Sequence, residues 1–174
     1  MSFQDNIRRF LNSRFGSSVL SEDLFRDELS FYIRPDALVS ICQAFLDDDS
    51  LDIRFLKDIT SVDWFGNQPE EAKGRFEVVY NFYSLKHKAR FFLKVRLPVS
   101  NPEVSSLTAL FQAADWLERE VWDMMGIVFT GHPDLTKILT ADELEGHPLR
   151  RDFPLTYEQP RFSWNKDNPP EVIK

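Results

Sequence analysis

A chain of 174 residues that is 43% hydrophobic and carries 16 phenylalanines has the length and the material for one buried core. Its net charge of -7 argues against nonspecific binding to a phosphate backbone, and its single cysteine excludes an internal disulfide or a four-cysteine iron–sulfur cluster held by this chain alone. No stretch approaches the ~18 apolar residues of a membrane-spanning helix, and neither G-x-G-x-x-G nor G-x-x-x-x-G-K is present to cradle a nucleotide phosphate.

The amino end sets Phe3, Ile7, Phe10 and Leu11 beside Arg8, Arg9 and Arg14, the amphipathic and basic character of a transit peptide. Asp5 argues instead for a first structural helix, and with it for a bacterial protein at its site of synthesis. Asp27 to Ile33 reads as a strand. Pro35 opens a helix through Phe45, with Leu38, Ile41, Cys42 and Phe45 on one face, and Asp47-Asp48-Asp49 reads as a solvated loop. Ile53 to Val62 is expected to be extended. Phe76, Val78, Tyr80 and Phe82 alternate on one face, as do Phe91, Leu93, Val95 and Leu97 after a Lys-His-Lys turn, which predicts a hairpin. Lys94 and Arg96 then face out, on a solvated sheet face paired with neighbours such as Glu77.

A helix is next predicted from Leu107, Leu110, Phe111, Ala114, Leu117 and Val121, with Ser105 or Ser106 as its cap and Gly126 as its stop. Its other faces gather the carboxylates of Asp115, Glu118, Glu120 and Asp123 around the lone cation Arg119. Like charges at this spacing repel. Two readings follow: a solvated helix face, or a socket for a basic partner.

Beyond the helix come two Gly-His-Pro turns, Gly131-His132-Pro133 and Gly146-His147-Pro148. Each proline biases the histidine before it away from helical backbone, and each glycine supplies the positive φ of a sharp turn. Between them Asp134 is expected to cap a short helix through Ile138, and Thr140 with Glu143 has capping-box spacing closed by Gly146. The three histidines and one cysteine fall short of a closed zinc site, so His132 and His147 are read as bonding backbone groups and locking their turns.

From His147 to Lys174 the chain holds five of its ten prolines, and its aromatics Phe153, Tyr157, Phe162 and Trp164 show no periodicity. The charge balance there turns basic, with Arg150, Arg151, Arg161 and Lys166. Such a segment is expected to lie extended across another protein. Strands followed by segregated helices make the fold class α+β, a mixed sheet with packed helices and a long irregular C-terminal arm. The division is a domain over 1–146 and a docking tail over 147–174.

The long run from Leu117 to Leu155 resembles the 30 kDa-type (C-type) subunit of proton-pumping NADH-quinone oxidoreductase, respiratory complex I. The resemblance rests on Glu118-Arg119-Glu120, Asp123, Gly126-Ile127, Phe129, Gly131-His132-Pro133-Asp134-Leu135, Ile138-Leu139, Glu145-Gly146-His147-Pro148-Leu149-Arg150 and Asp152-Phe153-Pro154-Leu155. Upstream, Phe55 to Thr60, Val62-Asp63 and Phe76 to Asn81 fit as well. Met125 and Leu144 stand where the pattern has an aromatic, and Lys137 and Arg151 exchange one cation type for the other.

The resemblance implies a non-catalytic, cofactor-free subunit that packs against the large D-type subunit of the quinone site, on the cytoplasmic face of the bacterial inner membrane. Iron–sulfur clusters and FMN are then expected in partner subunits. Glu118, Glu120, Asp123, His132, His147, Arg150, Arg151 and Asp152 are the candidate docking residues. Two other readings stand: the equivalent scaffold subunit of a related hydrogenase or ferredoxin-type quinone oxidoreductase, and an independent acid/base enzyme using Glu118, Glu120 or Asp123 with His132 or His147.

Overall fold

The computed structural model describes residues 2–155; the part of the predicted tail beyond Leu155 lies outside the described residues. Helix α1 (Phe3–Phe15) opens with a capping box, in which the Ser2 hydroxyl accepts from the Asp5 N–H and the Asp5 carboxylate accepts from the Ser2 N–H. Strands β1 (Val19–Phe25) and β2 (Glu28–Ile33) form a hairpin. A 3-10 turn at Pro35–Ala37 leads into α2 (Leu38–Asp47), then β3 (Phe55–Asp63) and a single turn of helix, α3 (Gln68–Glu71). Strands β4 (Phe76–Ser84) and β5 (Ala89–Leu97), a short β6 (Glu103–Ser105), helix α4 (Ala114–Met125) and β7 (Val128–Thr130) complete the order.

The five-stranded sheet runs β1-β2-β5-β4-β3, antiparallel throughout except where β2 lies parallel to β5; β6 and β7 pair in parallel beside it. This is the expected α+β architecture with a mixed sheet. The period-two pattern of the hairpin is realised: Phe76, Val78, Tyr80 and Phe82 are buried opposite Leu97, Val95, Leu93 and Phe91. Phe45 of α2 sits 5.4 Å from Phe91 and 5.9 Å from Phe82, while Phe10 of α1 lies 5.5 Å from Phe45. Burying such rings contributes about 1.5 to 3 kcal/mol each, before the entropy of ordering them.

The opposite sheet face is less open than the sequence suggests. Glu77 is buried, and Arg96 reaches it at 2.8 Å and Glu70 of α3 at 2.5 Å, with Trp64 and Tyr32 stacked against the guanidinium. The pairing with Glu77 is present, but the site is covered. Aromatic rings and α3 take the place of water there.

Candidate functional site

The site is built on α4 and the connection that follows it. Gly126 ends the helix with φ 69°, as the sequence predicts. The start is different: the helix begins at Ala114, and residues 107–113 form turns. The cause is Glu118. Its carboxylate accepts from the Leu107 N–H and the Ser106 hydroxyl, both at 2.7 Å, which folds the preceding segment back alongside the helix. Leu107, Phe111, Ala114 and Val121 still reach the core from this bent path.

Glu118 and Asp123 therefore do not lie on an exposed helix face; both are buried. Burial raises the Glu118 pKa above the ordinary value, opposed by its two donors. Burial also pushes Asp123 upward, but its hydrogen bonds win. One oxygen accepts from the N–H groups of Ile138, Leu139 and Thr140 at 2.9 to 3.1 Å, the other from the Thr140 hydroxyl, and the pKa falls to about 2. This nest replaces the two short helices expected between the Gly-His-Pro turns. Lys137 completes it by donating to the carbonyls of Ala141, Asp142 and Leu144. Arg119 holds the same loop through the Thr136 and Lys137 carbonyls. Of the three acidic docking candidates on α4, Glu118, Glu120 and Asp123, Glu120 alone is exposed.

Both histidines bond backbone, in agreement with the sequence reading. His132 Nε2–H donates to the Asp115 carbonyl at 3.1 Å while its Nδ1 accepts from the Asp134 N–H, which sets the tautomer. His147 Nδ1–H donates to the Asp123 carbonyl at 2.9 Å. That bond belongs to a larger pattern. The end of α4 exposes four carbonyls, as any helix does. Trp122 O is taken by the Gly126 N–H, Asp123 O by His147, Met124 O by the Leu149 N–H and Met125 O by Arg150 Nε. Three caps thus come from the Gly-His-Pro-Leu-Arg segment, 24 or 25 positions further along for the two side chains. Gly126 must be glycine on steric grounds as well, because a Cβ there would meet His147 Nε2 at 2.3 Å and Arg150 Nη2 at 2.4 Å.

A second anchor was not read from the sequence. Buried Arg75, at the start of β4, donates to both oxygens of Asp63 at 2.8 Å and to both oxygens of Asp152 at 2.7 and 2.8 Å. The Arg151 N–H adds a bond to Asp63 at 2.9 Å. Burial raises Asp63, yet Arg75 and the N–H groups of Arg151 and Phe65 bring it to about 2. Arg150 stacks on Phe76 with its guanidinium carbon 5.0 Å from the ring centroid. No local pattern marks Arg75: its partners lie 12 and 77 positions away.

These bonds tie residues 147–152 to the end of α4 and to Arg75 and Asp63. Arg150 and Asp152 find their partners within the chain, whereas the Arg151 side chain is exposed. An open cleft of about 360 Å³ lies here, lined by Glu145, Gly146, His147, Arg150, Asp152, Phe153 and Pro154. Glu118, Asp123 and His132 do not line it. Among the described residues, no helix is long and apolar enough to cross a membrane.

Residues 31–159 match the family model described as respiratory-chain NADH dehydrogenase, 30 Kd subunit. The C-type subunit of NADH-quinone oxidoreductase from Roseiflexus sp. (strain RS-1) is 42% identical over 157 residues, covering 90% of this chain and 87% of that protein. Among solved structures, the trypsin-resistant fragment (1–134) of Nqo5 superposes with a TM-score of 0.66 at 27% identity, over 76% of this chain and 99% of the fragment. A chain of the membrane-bound sulfane sulfur reductase, an archaeal respiratory membrane complex, shares the fold at a TM-score of 0.71 and 20% identity, over 87% of this chain and 86% of that one. A family match across most of the chain, and the helix end, turns and arginine segment that it spans, show that this protein belongs to the 30 kDa subunit family of respiratory-chain NADH dehydrogenase.

Proposed function

We propose that the chain is a non-catalytic, cofactor-free member of the peripheral arm of a proton-translocating NADH-quinone oxidoreductase, packed against the large D-type subunit of the quinone site at the cytoplasmic face of a bacterial inner membrane. One observation carries the reading. Of the groups best suited to chemistry, Glu118, Asp123 and His132 are turned inward onto backbone donors and carbonyls of the chain's own loops, and His147, which lines the cleft, has its Nδ1 committed to the Asp123 carbonyl. Asp123, held near 2 by its donors, is a poor base at neutral pH. Supporting a shaped loop surface is work for a scaffold, and an independent acid/base enzyme would need these groups to face a cleft. Electron carriers, FMN and iron–sulfur clusters, then reside in partner subunits.

The test is co-expression with the other subunits of the complex, followed by metal analysis and a visible spectrum of the isolated chain. The expected result is co-purification with the quinone-site subunit, loss of quinone reduction when the chain is omitted, and no chromophore in the free protein. Stoichiometric iron with sulfide-to-iron absorption in the free chain overturns the cofactor-free role. The alternative is a scaffold role in a hydrogenase or ferredoxin-type oxidoreductase; the fold also occurs in a chain of an archaeal respiratory membrane complex. Measuring quinone reduction by the purified complex with NADH and with reduced ferredoxin separates the two.

A further inference from the structure

Residues 131–155 contain neither helix nor strand, a length of connection that compact domains reserve for function or leave unstructured. This one is held from within. Asp123 fixes the backbone at 138–140, Lys137 fixes the turn at 141–144, and Met124 O fixes Leu149. On that backbone Leu139 and Leu149 are 61% and 60% exposed. An isolated exposed leucine is ordinary. These two are tied through their N–H groups to Asp123 and Met124, successive residues in the last turn of α4, so they share one end of the molecule. The entropy of ordering their backbone is already spent in folding, the condition that favours tight docking.

The exposed charge around them is acidic: Glu120 on α4, then Asp142 and Glu145 in the loop. Lys137 is turned in onto carbonyls, and the exposed cation beside Leu149 is Arg151, outnumbered by these three carboxylates. Two copies of such a face would set acid against acid, which argues against self-association. We infer that this connection is a preformed docking plug, whose Leu139 and Leu149 enter an apolar recess rimmed with Lys or Arg on a neighbouring protein of the complex. The inference rests on the subunit reading above and adds the chemistry of the partner surface.

The experiment uses the assembled complex purified through a tag on another of its proteins. Substituting Leu139→Ser and Leu149→Ser together should leave thermal unfolding of the free chain unchanged and reduce its recovery with the complex at least tenfold. Leu85→Ser, on the β4–β5 turn and 68% exposed, should leave recovery unchanged. Asp142→Lys with Glu145→Lys should weaken recovery more at low salt than at high salt. Normal recovery of the leucine variant, an equal loss with Leu85→Ser, or a salt-independent charge effect overturns the proposal. So does a free chain that dimerises through these leucines or binds anionic vesicles through them. Should the wild-type chain itself fail to co-purify, the subunit reading falls and takes the plug with it, an outcome visible before any variant is made.

Discussion

Arg75 donates to both carboxylate oxygens of Asp152, 77 positions away in the chain, while gripping Asp63 with the same guanidinium. One buried cation thus ties the end of β3, the start of β4 and the segment after the second Gly-His-Pro turn. Arg75 bonds both anions while Arg150 acts on them only through longer-range attraction, so removing Arg75 leaves two neighbouring carboxylates without their bonded cation.

Arg75→Leu should therefore destabilise the chain by about 3 to 5 kcal/mol, because Asp63 is left buried without its partner. Asp152→Asn should cost far less, about 1 kcal/mol, since that carboxylate is 41% exposed and solvent screens it. Urea unfolding of both variants checks the ordering. Equal losses would mean that the Asp63 half of the cluster contributes nothing special.

Glycine substitutions separate conformation from space. Gly131 has φ 85° with open room for a Cβ, so Gly131→Ala should cost about 1 kcal/mol from backbone strain alone. Gly126→Ala adds a collision with His147 and Arg150 and so uncaps α4, for a loss of roughly 3 kcal/mol or more. Circular dichroism melts would show the difference. The collision account fails for Gly126 if the two variants melt together.

Acid should act oppositely through two neighbouring carboxylates. Asp123 has a folded pKa of about 2 against an ordinary 3.8, so its contribution is complete above about pH 4 and is lost as pH falls through about 2. The amount is about 2 kcal/mol. Glu118 is raised by burial, so its protonated form favours the fold, and wild type gains stability as pH falls through the raised folded value toward the unfolded one. Stability against pH for Asp123→Asn and Glu118→Gln should consequently diverge from wild type in opposite senses: the deficit of the first shrinks on acidification below pH 4, and that of the second grows at higher pH, as pH falls from the raised folded value to the ordinary 4.5. Parallel curves would refute the assignment.

Truncation should map the boundary of the domain. A chain ending at Gly146 loses His147, Leu149 and Arg150 as caps of α4 and Asp152 as partner of Arg75. It should unfold several kcal/mol more easily, at about 1 kcal/mol for each hydrogen bond and more for the charged pair. A chain ending at Leu155 keeps every one of these bonds and should melt well above the shorter piece. Hydrogen exchange at Leu149, protected by Met124 O, gives a residue-level check in the longer piece.

Much of the architecture was legible in residue order because it rests on short-range pattern. Alternation of Phe76 to Phe82 and of Phe91 to Leu97 places one side of each strand in the core, and the spacing of Leu38, Ile41, Cys42 and Phe45 does the same for α2. Gly126 as a helix stop and the histidines as turn locks follow from backbone preference alone. The run of charges and turns from Glu118 to Asp152 also suffices for the family, since its order is conspicuous before any fold is known.

What only the tertiary structure decided is where those charges point. Periodicity cannot tell a solvated Glu118 from one bonded to Leu107, nor foresee that Asp123 gathers N–H groups 15 to 17 positions ahead. Tail composition, rich in proline and arginine, does not foretell that His147, Leu149 and Arg150 meet the free carbonyls at the end of α4. The physical reason is common to all three cases. A buried donor or acceptor takes whichever partner the folded chain brings within about 3 Å, and that proximity comes from the packing of the sheet and helices, which residue spacing alone does not carry.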